Sequence, residues 1–438
     1  MRKIYLLLGL MLLTIACDND LDQVPPNLAT SDSLTDFEGV LNAAYFYQHA
    51  SITPMAVMGD FRADNALMEE EPYPAFDRYN SDLLDGSLNN QFFRPFYVAL
   101  YRSILSANNV IENSTSATDI GEAKFLRALS YFKLVQMFGA VTVNLSASPD
   151  PLDTSNLARQ SADDVYNNVI IPDLQDAISS LSPTNSNGRA TSLAAQSLLG
   201  KVFVTRGDFG SATPLLQAVV NGAAAAGVSL QENYADIFGV DNDLNSEIIF
   251  ATQVSSSISD EYGFSEFWSW SGGLDTKSLM PLDPSLIAAF DASEAGGQTD
   301  LRRVVTIDEA LMASPKFPQA GGPDHDWIEI RLADVILLYA EALNETGATP
   351  AALTELNKIR NRAGLGNSTA TTQAAVRTAI ANDRRLELAF EGQRWFDLVR
   401  TGTAQTVLGF SDANYLLAPI PISEITSSEG IITQNPGY

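Results

Sequence analysis

The sequence predicts a mainly α-helical protein: an α-α superhelix of stacked helix pairs, with an irregular, loop-rich second lobe. Three observations predict it. Apolar residues recur at helical spacing over much of the chain. Residues 189–220 and 330–364 each read as a helix, a tight turn and a second helix. Residues 50–95 and 255–325 lack that period and are rich in Pro, Asp, Asn, Gly, Ser and aromatic residues. Irregular stretches of that length are uncommon unless they carry function.

The N-terminus comes first. Arg2 and Lys3 precede an apolar run from Ile4 to Leu13, the pattern of a secretory signal. The run is shorter than the roughly 20 apolar residues needed to span a bilayer. Thr14-Ile15-Ala16 then leads to Cys17, the only cysteine among 438 residues. This resembles a bacterial lipobox, with Thr14 where Leu is usual. A lone thiol cannot close an internal disulfide, so lipidation of Cys17 is the expectation. Asp18, Asn19, Asp20 and Asp22 follow, then Pro25-Pro26. They read as an acidic tether, or as an address for surface export or inner-membrane retention.

About 420 residues remain after such a signal, enough for one large domain or two ordinary ones. The formal charge is −27. That argues against nucleic acid as a partner, because phosphates require Lys and Arg. It equally disfavours peripheral binding to anionic lipid. No later apolar run is long enough to span a membrane.

The helices follow in order. In residues 121–139, Phe125, Leu129, Phe132, Leu134 and Met137 form one broad stripe, and Gly139 is the stop. Ser161 and the acidic turn behind it predict a helix N-terminus. In 189–220 the turn falls at Gly207-Asp208, and Ala195, Gly200 and Ala212 stand where two helices must approach closely. In 330–364 the break is Gly347 and the stop Gly364. Both segments resemble tetratricopeptide units, which are helix pairs of 34 residues. They are not consecutive, so the chain is no simple tandem array. Residues 246–253 read as a short strand.

Catalytic chemistry has few candidates. His49 and His325 are the only histidines, and neither lies in a metal or nucleophile-base setting. Glu387 and Glu391 share a helical face, and a carboxylate pair is what glycoside hydrolysis requires. Arg384, Arg385, Arg394 and Arg400 interleave with Asp383, Glu387, Glu391 and Asp397 at ion-pair spacing, which favours a structural lattice. Asp241, Asp243, Asn245 and Glu247 alternate oxygen ligands, but without the spacing and glycine of an EF-hand, so a polar turn is expected. No metal and no cofactor are expected.

Binding chemistry is better represented. Tyr262, Phe264, Phe267, Trp268 and Trp270 crowd residues 260–273 in a Gly/Ser setting. The ligand-binding candidates there are Trp268, Trp270, Tyr262 and Phe264, whose faces suit the apolar C–H surfaces of sugar rings. Pinning of the loop to the helices is the competing role, since Trp is usually buried. Residues 61–80 offer a second wall: Tyr73 and Tyr79, with Phe76, Asp64 and Asn65 nearby, and Asp60 and Arg62 as polar contacts.

Residues 122–141, 331–347, 357–365, 384–402 and 417–438, together with "CDNDLDQVPP" at 17–26, resemble the SusD/RagB family of outer-membrane lipoproteins. The resemblance implies a scaffold of tetratricopeptide-like helix pairs under a second irregular lobe. It implies a signal at 1–16, a lipidated tether at 17–27 and a single domain over 28–438, divided into 28–240 and 241–438. It also implies a non-catalytic, surface-exposed binding protein that hands ligand to a SusC-like TonB-dependent transporter. Ligands of that family are mainly oligosaccharides, and peptides in some members. The acidity of this chain favours neutral glycans. Peptide capture is the alternative, and a surface glycoside hydrolase the less favoured one.

Overall fold

The computed structural model describes residues 36–150, 153–184, 188–255, 282–317 and 324–438. Eleven of its helices carry the argument. They are α1 (Phe37–Phe46), α2 (Arg94–Asn113), α3 (Ala117–Phe138), α4 (Ile171–Ser180), α5 (Ser192–Thr205), α6 (Phe209–Gly222), α7 (Pro284–Ser293), α8 (Leu332–Glu345), α9 (Thr349–Arg362), α10 (Gln373–Leu388) and α11 (Arg394–Arg400). Side chains close their N-termini. Asp36 accepts from Gly39 N, Ser116 from Asp119 N, Thr191 from Ala194 N and Asp208 from Ser211 N. The predicted start at Ser161 is a cap of the same kind, bonded to Asp164 N. Gly139 ends α3 with φ 71°, a conformation that a side chain resists.

Packing order follows the chain. α1 lies on α2, α2 on α3, α3 on α4, α4 on α5 and α5 on α6; α6 then meets α8, which carries α9 and α10. The two helix pairs read from the sequence, α5/α6 and α8/α9, therefore stack on each other despite their separation in the chain. The predicted close approach is present. A Cβ on Gly200 would fall 2.4 Å from Leu216 Cδ2, and Ala195 and Ala212 are fully buried. α8 is the central helix, with every residue from Leu332 to Asn344 buried, which is why its apolar pattern runs all round.

The strand predicted at 246–253 is β3 below. Among the described residues, two small antiparallel sheets accompany the helices. β1 (Val141–Thr142) pairs with β2 (Arg159–Gln160). β3 (Ile248–Thr252) pairs with β4 (Trp327–Arg331), with Ile248 opposite Arg331 and Thr252 opposite Trp327.

Residues 50–95 differ from expectation. They are not an exposed loop wall. Short helical turns run without a break from Tyr47 to Phe61, and every residue from 48 to 63 is buried. Phe61, Phe76, Phe92 and Phe93 sit in the core, with Phe76 edge-on to Phe92 at 5.3 Å. Each such ring stabilises the fold by roughly 1.5–3 kcal/mol of apolar burial. The period is lost because the turns are 3-10, α and π in succession. Among the described residues, no helix is long and apolar enough to cross a membrane.

Candidate functional site

The carboxylate pair is interior. Arg331 at the end of β4 donates Nη1 to Glu387 Oε1 at 2.6 Å and to Glu247 Oε1 at 2.8 Å, and Nε to Glu391 Oε2 at 2.7 Å. Lys316 Nζ lies 2.6 Å from Glu391 Oε1, and Arg362 and Arg302 close on Glu387. Burial alone would raise Glu387, but Arg362, Arg331 and Arg302 outweigh it and hold the carboxyl at about 2. Glu391 is also lowered: burial opposes the shift, and Arg331 and Lys316 overcome it. Two buried carboxylates whose ionised form these cations favour are poorly suited to donate a proton to a leaving group near neutral pH. The lattice predicted from "RRLELAFEGQRWFDLVR" is a structural network.

The oxygen-rich turn at 241–247 is dispersed. Glu247 faces Arg331 and Arg362, Asn245 Oδ1 accepts from Gln231 Nε2 and Glu247 N, and Asp243 Oδ1 accepts from Asp326 N. Among the described residues, no group of three His, Cys, Asp or Glu side chains is placed to hold a metal ion.

The second wall expected from residues 61–80 is folded inward. Asp60 has no accessible surface. It accepts from Asn65 Nδ2 at 2.7 Å, Phe390 N at 3.0 Å and Gly392 N at 2.6 Å. It clamps the chain between α10 and α11, and burial raises its carboxyl to about 6 despite those bonds. Arg62 is equally buried. It donates to Phe76 O and Tyr415 O and lies 4.6 Å from the Trp395 ring and 5.0 Å from Tyr79. Tyr79 stacks on Phe410 at 4.3 Å and donates to Arg62 O. Tyr73 is buried edge-on to Phe92 at 6.2 Å. Asp60 and Arg62 are therefore corrected from polar contacts to interior anchors: a side chain without surface touches no ligand. Tyr73 and Tyr79 are packed rings. Trp268, Trp270, Tyr262, Phe264 and Cys17 lie outside the described residues.

An aromatic cleft lies where β3 leads into residue 255. Its volume is about 360 Å³, and Asn42, Tyr45, Phe46, Arg189, Phe250 and Gln253 line it with their neighbours. α1 supplies the first three, Asn42 and Phe46 standing four residues apart on one face. The Tyr45 and Phe250 rings are 6.4 Å apart at 43°, and the Arg189 guanidinium lies 5.1 Å over Tyr45. Buried Glu122 fixes both polar tips, taking Tyr45 OH and Arg189 Nε at 2.6 Å each. His49 Nε2 is 2.6 Å from Gln253 O. Burial pushes this imidazole below its usual value, and because a carbonyl oxygen can only accept, Nε2–H is the donor.

The cleft has free donors. Arg189 Nη1 reaches Asn42 Oδ1 at 2.9 Å, which leaves Arg189 Nη2 and the Asn42 amide nitrogen without an acceptor among the described residues. Ring faces with a few fixed donors are the usual make-up of a small-molecule site. Sequence reasoning missed it because Arg189 and Phe250 arrive only through the fold. The visible signal was the aromatic run Tyr45-Phe46-Tyr47 in "NAAYFYQHA".

Two family models match the chain. One, described as "Starch-binding associating with outer membrane", matches residues 18–204; the other, the SusD family, matches 301–415. The chain belongs to the SusD family. Relatives cover from 78% to all of it. SusD-like protein P2 of Formosa agariphila is 26% identical over 100% of both chains. The starch-binding protein SusD of Bacteroides thetaiotaomicron is 24% identical over 78% of each. A solved laminarin-binding SusD-like protein is 27% identical, with TM-score 0.73 over 92% of this chain and 99% of that one. A SusD superfamily structure from Bacteroides vulgatus, at 22% identity and TM-score 0.77 over 92% and 99%, shares the fold. In this SusD-family chain residues 205–300 lie outside both model matches, and β3 with the base of the aromatic cleft falls among them.

Proposed function

We propose that this protein is a non-catalytic, surface-exposed lipoprotein that captures oligosaccharides and delivers them to a SusC-like TonB-dependent transporter. The observation that carries the reading is the aromatic cleft at α1 and β3, where Phe46 and Tyr45 offer rings suited to sugar C–H faces and Asn42 and Arg189 offer donors suited to hydroxyls. Relatives named for starch and laminarin binding support the ligand class. The charge of −27 favours neutral glycans over polyanions. Trp268, Trp270, Tyr262 and Phe264 are the ligand-binding candidates that the sequence adds to this reading.

Attachment is through Cys17. A lipid there holds the protein at the outer membrane, since each buried methylene contributes about 0.8 kcal/mol. Tethering raises the effective concentration of the captured glycan at the transporter. Non-catalytic capture agrees with Glu387 and Glu391 being locked in the interior.

Affinity electrophoresis through gels containing laminarin, starch or a uronic-acid polymer tests the function. Retardation by a neutral polysaccharide without any release of reducing ends is expected. Reducing ends released by the pure protein, or no retardation by any neutral glycan in a broad panel, would overturn it.

A further inference from the structure

A second cleft lies between α7 and α10, with a volume of about 370 Å³. Ala289 and Ala292 on α7 face Ala379 on α10, so the walls are small and leave room for a ring. The rim is cationic. Arg360, Arg385 and Arg394 line it against the single carboxylate of Asp383. In a chain of net charge −27 such a local excess runs against the trend.

The acceptors nearby are shared. Asp383 takes Arg360 Nη1 at 2.9 Å and Arg302 Nη2 at 3.1 Å. Asp64 takes Arg394 Nε at 2.6 Å and Nη2 at 2.9 Å, and also pairs with Arg385 at 3.3 Å. Burial pulls the Arg385 guanidinium down to about 10, with Asp64 opposing the shift and Arg394 adding to it. Asp283 is engaged in capping α7, and the oxygens of Asp60 face Asn65, Phe390 N and Gly392 N. Among the described residues, Arg394 Nη1, Arg360 Nη2 and the exposed Asn382 amide have no acceptor.

We propose that the α7/α10 cleft binds an acidic sugar unit, its carboxylate or sulfate on Arg394 and Arg360, its ring over the alanines and a hydroxyl on Asn382. Guanidinium groups already fixed by Asp64 and Asp383 are pre-oriented donors, and charge-assisted bonds to a carboxylate or sulfate are the strong ones. Asn382 and Arg394 also line a groove of about 490 Å³ reaching α6, α8 and α11. The site is separate from the aromatic cleft and stands whether or not that cleft binds neutral glycan.

Titration calorimetry on the full-length protein with D-glucuronate, D-glucose and inorganic sulfate tests it. Glucuronate should bind, more weakly as NaCl rises, and glucose should not. Ala292→Trp, at an exposed helix position, fills the cleft and should lower glucuronate affinity at least tenfold; Asn382→Ala should lower it less. Arg394→Lys, which keeps the charge but loses the fork, should also weaken it, with circular dichroism as the folding control. Binding of neutral glycan should be unchanged in Ala292→Trp. No glucuronate binding by wild type, or binding that survives Ala292→Trp, overturns the proposal. Sulfate binding alone, equal in wild type and Ala292→Trp, is an adventitious ion and overturns it too.

Discussion

Arg331 and Glu387 face each other at 2.6 Å in the interior, with side-chain exposures of 1% and 0%. The pair joins β4 to α10, and Arg362 brings in α9. A buried ion pair is weak evidence for net stability, but removing one partner strands the other charge. Glu387→Ala should therefore lower the free energy of unfolding by about 3–5 kcal/mol. Urea unfolding followed by circular dichroism measures this, and an unchanged midpoint would contradict the network's role.

The pH dependence follows with a definite sign. Glu387 is held at about 2, below its ordinary value of 4.5. Its contribution is therefore fully present above pH ~4.5. It is lost as the pH falls from there through about 2. Asp326 has the opposite sign. Burial raises it to about 7, and Asp243 adds to the shift. Its folded form holds a proton that the unfolded chain releases near pH 4, so its contribution is present below that and fades as the pH rises through 7. Thermal melts of Asp326→Asn should show a flatter profile than wild type between about pH 4 and 7. Parallel profiles would count against this assignment.

The α5/α6 contact is a test of packing. Gly200 has no room for a methyl, because Leu216 Cδ2 stands 2.4 Å from the Cβ position. Gly200→Val should cost about 1–3 kcal/mol through overpacking, more than any gain in helix propensity. Adding Leu216→Ala should restore part of it. Additive losses in the double variant would show that the two side chains do not share the space.

Much of the fold was legible because periodic helices and their stops are local signals. Ser161, Gly139, Gly207 and Gly347 fall where helices begin or end. The stripe at 121–139 is buried, and the pairs 189–220 and 330–364 are helix pairs. The burial of Asp60 and Arg62 was not legible. Their partners, Gly392 and Tyr415, lie more than 300 residues away in sequence, and a short-period turn hides its buried face. The aromatic cleft was missed for the same reason, since Arg189 and Phe250 meet Tyr45 only in the folded chain.

Anchoring has its own test. Cys17→Ala should abolish incorporation of a labelled fatty acid and release the protein from membranes. Wild-type protein that takes up no label would contradict lipidation.

The central claim is glycan capture at the aromatic cleft. Titration calorimetry of wild type, Phe46→Ala and Asn42→Ala against neutral oligosaccharides from laminarin and starch tests it most directly. Phe46 is partly buried and Asn42 exposed, so both variants should keep the wild-type circular dichroism spectrum. Wild type should bind at least one series, and Phe46→Ala should lose about 2 kcal/mol of binding free energy if the ring is a hot spot. Asn42→Ala should lose about 1 kcal/mol, the worth of a typical hydrogen bond. Wild-type affinity in both folded variants would contradict the account.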